Sequence, residues 1–334
     1  MSKRTDRLIF SWIKAYVMFF FLAGAPLLLS IGIFAQPIDD VVLKSVIQIT
    51  TSTGKTGTGF LFGSKIHGSG DQRGMPLFVV TNRHMLADYN PIDGDFGQFD
   101  WITLYLYRNA PMHDGPVEKV QVNLKAADGK FDMARVAVHA NGTVDVAAVR
   151  MDDVVEKHLR NLGRRLNSKI LHHEWLEPFA NLPGSYGYIG GRVFALGYPH
   201  GITSLLTNHP IAKAGHLAAT AGEELALNTY WPTPRRKGKD AEITIRGKLL
   251  LIDGLIVGGN SGGPVILPGG GGLFGRDPKT GETVMQSHGP TKILGIVSAG
   301  WTTAGLSYAY ATDYIKEVID TFLTRNAAGS KTVQ

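Results

Sequence analysis

The sequence predicts an all-β protein built as two antiparallel barrels, with an apolar N-terminal helix before them and a helix closing the chain. Three observations predict it. Glycine is 41 of 334 residues, about 12% against a usual ~7%, which favours a turn-rich β chain. Short apolar alternations such as Val46-Ile47-Gln48-Ile49 and Trp101-Ile102-Thr103-Leu104-Tyr105-Leu106-Tyr107 are separated by Gly, Asp and Asn turns. The run Gly258-Gly259-Asn260-Ser261-Gly262-Gly263-Pro264 bends the chain between Leu255-Ile256-Val257 and Val265-Ile266-Leu267.

Residues 1–36 read as a membrane-directed segment. Lys3, Arg4 and Arg7 precede a stretch from Ala15 to Ala35 that carries no charge. As a helix at ~1.5 Å per residue it would span about 31 Å, close to a bilayer core and longer than a usual signal-peptide core. It reads as a signal-anchor, with Phe34-Ala35-Gln36 as the cleavage site of the alternative, a signal peptide. Basic residues ahead of the helix keep the N-terminus cytoplasmic. The body then faces the periplasm, anchored to the inner membrane or released by cleavage.

Residues 37–150 read as the first barrel. Residues 151–190 read as a polar connection with helical potential around 154–166. Residues 191–312 read as the second barrel, in which Pro268 to Pro290 is expected to be a glycine-rich loop near a substrate groove. Residues 313–334 hold the closing helix and tail. Tyr314, Ile315, Val318, Ile319 and Phe322 fall at helical spacing, Thr312 or Asp313 can cap, and the helix is expected over 312–323, packed on the second barrel.

Ser261 is the candidate nucleophile. Flanking glycines let backbone N–H groups turn toward its reaction centre and leave room for a substrate backbone. A serine hydroxyl needs a histidine to take its proton and a carboxylate to hold that histidine. His84 stands just past the strand-like run Leu77-Phe78-Val79-Val80-Thr81, where a rigid scaffold presents functional groups. Asp145 opens the small-apolar run Val146-Ala147-Ala148-Val149, where an ionised carboxylate is costly without a partner. Asp132 competes, but Asp128, Lys130 and Arg135 around it mark a solvated loop, so Asp145 is preferred. The order His84, Asp145, Ser261 separates the chain from the subtilisin and α/β-hydrolase arrangements.

In these residues the chain resembles the trypsin-like, chymotrypsin-fold serine proteases, and among them the bacterial high-temperature-requirement proteases. The matching pieces are Gly57-Thr58-Gly59-Phe60-Leu61-Phe62, Val79 to His84, Asp145 to Val149, Val193-Phe194-Ala195-Leu196-Gly197-Tyr198-Pro199, Gly259 to Pro264, and Gly295-Ile296-Val297-Ser298-Ala299-Gly300. The resemblance covers about residues 41–325. It implies two six-stranded barrels and a serine endopeptidase acting on polypeptides. Ser261 would attack the acyl carbon, His84 would shuttle the proton, and Asp145 would orient His84. The N–H groups of Gly259 and Ser261 would form the oxyanion hole, and Ser298, Ala299 and Gly300 would pair with the substrate backbone. Asn260 departs from the aspartate that secreted digestive relatives carry before the nucleophile, so activation by an ion pair with a new N-terminus is not expected. Leu255 stands where the family places the base of the primary pocket, which implies apolar side chains there. The chain stops soon after its last helix, leaving no room for the PDZ domain many members carry, so regulation through that domain is not expected.

Other function classes fare worse. Zero cysteines exclude disulfides and thiolate metal sites. His172-His173-Glu174 lacks the i, i+4 spacing of two ligands on one helix face, and is read as surface. No metal or cofactor is expected. The net charge of +6 owes part to residues 3–7 and part to Arg235-Arg236-Lys237-Gly238-Lys239. That run lacks aromatic platforms or a reading helix, so nucleic acid is not expected as a partner. An esterase or lipase of the α/β-hydrolase type would need a strand–turn–helix around its serine.

Overall fold

Glycine-punctuated apolar runs become short antiparallel strands, and the computed structural model describes them over residues 38–64, 76–90, 94–107, 117–155, 167–182, 189–203, 207–219, 224–231, 241–269, 272–276, 283–287, 290–301 and 305–330. A short helix, α1 (Asp40–Ser45), opens this body, its first turn capped by the Asp39 side chain accepting from the Val41 N–H at 2.8 Å. Nine strands follow in the N-terminal half. They are β1 (Val46–Thr51), β2 (Thr56–Gly63), β3 (Leu77–Thr81), β4 (Ala87–Asn90), β5 (Gly94–Gln98), β6 (Trp101–Tyr107), β7 (Val117–Asn123), β8 (Val136–Val138) and β9 (Ala147–Arg150). Among the described residues seven of them form one antiparallel sheet in the order β7-β6-β1-β2-β3-β9-β8, while β4 and β5 pair as a separate hairpin.

The C-terminal half contributes β10 (Arg192–Gly197), β11 (Ile211–Leu217), β12 (Leu225–Trp231), β13 (Ala241–Gly247), β14 (Leu249–Asp253), β15 (Pro264–Leu267), β16 (Gly272–Arg276), β17 (Thr283–Ser287), β18 (Lys292–Trp301) and β19 (Leu306–Ala311). Six of these close a barrel in the order β10-β11-β14-β19-β18-β15. The fold is the expected chymotrypsin-like one, mostly β, with one closed barrel and a half-barrel. The half-barrel's end strands, β7 and β8, do not pair with each other along their length among the described residues. β8 has three residues, and the chain leaving β7 turns through the Ala126 N–H on the Lys130 carbonyl, so that only Lys125 and Phe131 bridge between the β7 and β8 ends.

Each half has its own apolar centre. Ile47, Ile49, Leu61, Val79, Leu104 and Val122 fill the first. Val193, Leu250, Ile252, Val265 and Val297 fill the second. A third cluster lies between the halves and joins Phe60, Phe62, Phe78 and Val80 to Leu196, Tyr198, Tyr308 and Tyr310. The closing helix α2 (Thr312–Ser330) adds Ile315, Val318, Ile319 and Phe322 to that cluster. It runs past the expected end at 323 and packs on β8 and β9 of the first half as well as on β18 and β19 of the barrel. Phe322 meets Phe78 edge-on at 5.3 Å. Thr312 does not cap with its side chain. Its hydroxyl bonds the Glu177 carbonyl, and Asp313 accepts from the Phe179 N–H and from Lys248, so the helix start is tied to the inter-half connection.

The stretch expected as a loop between Pro268 and Pro290 holds a regular hairpin instead. β16 and β17 pair from Gly272↔Ser287 to Arg276↔Thr283. Each of its strands carries only two adjacent apolar residues, Leu273-Phe274 and Val284-Met285, with Phe274 opposite Met285, too little to weigh against the turn signal in sequence. The N-terminal apolar segment, the basic run 235–239 and most of the helical stretch expected at 154–166 lie outside the described residues. Among the described residues no helix is long and apolar enough to cross a membrane.

Candidate active site

His84 sits in a 3-10 turn, Arg83–Met85, directly after β3. Asp145 lies just ahead of β9, which is hydrogen-bonded to β3 through Thr81↔Ala147. Strand pairing thus brings the two side chains together. His84 Nδ1 lies 2.6 Å from Asp145 Oδ2, and the His84 main-chain N–H donates to Asp145 Oδ1 at 3.0 Å. A carboxylate only accepts, so Nδ1 carries the ring proton and Nε2 is left with the lone pair. Asp145 is 1% exposed, and Asn82, itself fully buried, donates to its carbonyl at 2.7 Å.

Ser298 gives Asp145 a further donor. Its hydroxyl bonds Oδ2 at 2.8 Å. The register of β18 on β19 slips between Val297 and Ala299, a bulge that turns the Ser298 side chain toward Asp145. Tyr308, also near Asp145, has its phenol pushed up, first by burial and then by that negative charge.

Ser261 comes from the other half, on the turn between β14 and β15. Its hydroxyl donates to the Ser298 carbonyl at 3.2 Å, and no hydrogen bond joins it to His84 among the described residues. Rotation about χ1 is what moves Oγ between partners at this position. Gly259 has φ 95, and a Cβ there would sit 2.3 Å from the Tyr198 carbonyl oxygen. A Cβ on Gly262 would sit 2.0 Å from the Thr58 carbonyl oxygen. Glycine is required at both by conformation and by space. Neither the Gly259 nor the Ser261 N–H is spent on another group among the described residues.

Thr58, in β2, fastens the serine turn to the first half. Its hydroxyl donates to the Gly259 carbonyl at 2.6 Å and accepts from the Tyr198 N–H at 3.1 Å. Its own N–H donates to the Ser261 carbonyl at 2.8 Å, and Thr81 donates to its carbonyl at 2.7 Å. In sequence Thr58 is only a member of an early strand. The signal it offers is a small polar residue between two glycines in a buried strand.

The structure therefore brings together His84, Asp145, Ser261, Gly259 and Ser298. Ser298, expected as a substrate-pairing strand residue, also places its hydroxyl on Asp145, a contact for which the sequence carries no signal. Ala299 and Gly300 pair with Tyr308 and Ser307 of β19, while the ladder of β18 with β15 ends at Ile296↔Pro264. The other edge of 298–300 has no strand on it among the described residues. Leu255 is 48% exposed, and its neighbour Ile256 is the one turned into the barrel core. His172 and His173 are half-buried rather than on the open surface. They dock on the end of β2, His172 Nδ1 3.2 Å from the Gly63 carbonyl and His173 Nε2 3.1 Å from the Ser64 hydroxyl. Among the described residues no group of three ligand-type side chains is placed to hold a metal ion.

The family model described as a trypsin-like peptidase domain matches residues 57–275, a span that contains His84, Asp145 and Ser261. No curated protein matches the chain. Three solved structures of Rv3671c are similar to it. An inactive form of the M. tuberculosis H37Rv protein with a serine-to-alanine mutation is 16% identical, with a TM-score of 0.42 and coverage of 87% of this chain and 92% of that one. An inactive form of the Rv3671c protease is 17% identical, with a TM-score of 0.41 and coverage of 86% and 93%. An active form from M. tuberculosis is 16% identical, with a TM-score of 0.40 and coverage of 85% and 83%.

Proposed function

The chain belongs to the trypsin-like peptidase family, and from that premise we propose a serine endopeptidase that hydrolyses peptide bonds through an acyl-enzyme on Ser261. The observation that carries this reading is the grip of Asp145 on His84, through both the ring and the main chain. It sets the tautomer a general base needs. His84 Nε2 takes the Ser261 proton as Oγ bonds to the substrate carbonyl carbon. The carbonyl oxygen becomes an oxyanion, which the N–H groups of Gly259 and Ser261 stabilise. Collapse of that adduct breaks the C–N bond, and the His84 proton goes to the leaving amine. Water then attacks the ester by the same route, returning the proton to Ser261. Residues Ser298 to Gly300 hold the substrate backbone by adding it as a strand to the free edge of β18.

The compartment we propose rests on residues 1–36. A cationic start and an apolar stretch long enough to span support a body outside the inner membrane of a bacterial cell, anchored or cleaved.

A second reading, a peptide-binding barrel derived from a protease, draws on the Ser261 hydroxyl resting on the Ser298 carbonyl instead of on His84. One experiment divides the two. A fluorophosphonate probe applied to expressing cells should label the protein, and Ser261→Ala and His84→Ala should each abolish the label. Label in washed membranes supports the anchor, and label in the soluble periplasm supports cleavage. A wild-type protein that is folded yet refuses the probe overturns the enzyme reading, and cytoplasmic label overturns the compartment.

A further inference from the structure

We propose that His200 is a positioning residue for the oxyanion hole and acts through its main-chain N–H. This rests on the reading of Gly259 and Ser261 as the oxyanion donors. A peptide unit is planar, so its N–H and C=O point in opposite directions. The Gly259 N–H shares a plane with the Gly258 carbonyl. That carbonyl accepts from the His200 N–H at 2.8 Å. Fixing the carbonyl fixes the direction of the N–H. With the plane turned over, the hole would offer a carbonyl oxygen to a developing negative charge and lose one of its two donors.

His200 donates from an uncommon backbone conformation. Its φ is 50, in the left-handed region that few non-glycine residues occupy. Nothing about its imidazole imposes this. The residue is exposed, and the ring makes no hydrogen bond among the described residues. The surroundings impose it. His200 lies in the 3-10 turn Pro199–Gly201, which bonds the Gly201 N–H to the Tyr198 carbonyl and the Ile202 N–H to the Pro199 carbonyl, both at 2.9 Å. Tyr198 is fully buried and anchors the turn. Its N–H bonds the Thr58 hydroxyl, and its own hydroxyl lies 3.1 Å from the Val46 carbonyl oxygen and 2.9 Å from that of Asn208. A Cβ on Gly259 would stand 2.6 Å from the His200 nitrogen, so no side chain fits between the two peptides. A strained residue persists only where its neighbours over-determine it, and here they aim one N–H.

The test is the acylation burst with p-nitrophenyl acetate, read as the acylation rate constant and the binding constant per titrated active site. His200→Gly keeps the N–H and admits φ 50, and should acylate within about threefold of wild type. His200→Pro has no N–H and holds φ near −65, so its acylation rate should fall by about 10²-fold, the loss typical of one oxyanion donor. Its binding constant should change little. His200→Val keeps the donor but resists φ 50, and should fall in between. A merely structural role would lower the fraction of titratable sites and leave the rate per site unchanged. The proposal is overturned if the proline variant acylates within about threefold of wild type, or if the glycine variant loses as much as the proline one. Should the proline variant not fold, equal rates for His200→Gly and His200→Val overturn it. A wild type without any burst, indistinguishable from Ser261→Ala, removes the enzyme reading and this proposal with it, whereas a normal wild-type burst with unaffected variants removes this proposal alone.

Discussion

Asp145 is a charge held among apolar neighbours, and three donors compensate it: the His84 ring, the His84 main chain and the Ser298 hydroxyl. Replacing it by asparagine changes one atom and inverts the logic. An amide nitrogen facing Nδ1 donates, so the ring keeps its proton on Nε2 and offers no lone pair to Ser261. Asp145→Asn should lower kcat by about 10⁴-fold at neutral pH with little change in substrate binding, the scale of the equivalent change in a well-studied serine protease. Steady-state hydrolysis of a peptide ester checks it, and a loss under about tenfold would remove Asp145 from the role. His84, Asp145 and Ser261 were legible in sequence because the chemistry demands those side-chain types. Thr58 and His200 were not, because they act on peptide groups that every residue carries. Leu255 was legible only as an alignment position, and its exposure needed the fold.

Elements show a different boundary of legibility. The strands around His84 and Asp145 were readable because β-branched runs end at polar breaks. The hairpin of β16 and β17 was not, because each strand carries only two adjacent apolar residues among glycine and polar ones, with no period to read. The turn at His172-His173-Glu174 looked polar in sequence, yet its two rings cover the end of β2, with Phe62 meeting His173 edge-on at 5.2 Å. Burial, the largest influence on His173, pulls its pKa below the ordinary value of 6.5. The folded chain therefore binds this proton less readily than the unfolded chain. Stability from the neutral ring is present above about pH 6.5 and drains as pH falls below it, because the unfolded state takes up the proton first. Melting temperature should drop between pH 7.5 and pH 5, and His173→Gln, which can still reach the Ser64 hydroxyl, should flatten that slope. Parallel slopes in wild type and variant would show that other groups set the acid limit.

At the scale of the whole molecule the candidate site is a seam. His84 and Asp145 belong to the half-barrel and Ser261 to the closed barrel, so their alignment depends on how the halves are fastened. Four fastenings join the halves. The shared apolar cluster supplies adhesion without direction, since burial energy follows area rather than angle. Helix α2 spans both halves and buries Phe322 against Phe78. At the site itself Ser298 bonds Asp145 across the seam, and Thr58 bonds across it to the Gly259 carbonyl, the Tyr198 N–H and, through its main chain, the Ser261 carbonyl. Valine matches threonine in shape but has no hydroxyl. Thr58→Val keeps the apolar packing and the main-chain bond, and strands one buried carbonyl and one buried N–H, a cost of about 1–3 kcal/mol for each group left unsatisfied. The Gly259–Asn260 peptide, next to the one that carries the Gly259 N–H, would then lose its anchor, so the loss should exceed what stability alone explains. Thr58→Val is expected to melt several degrees lower and, at a temperature where it stays folded, to react with a fluorophosphonate at least about tenfold more slowly, as the partial loss of an oxyanion donor implies. Thr58→Ser, which restores the hydroxyl, should recover the rate even if it does not recover the full melting temperature. A valine variant that melts low but labels at the wild-type rate would mean that the seam is held by the apolar cluster and α2, with Thr58 a structural bond only.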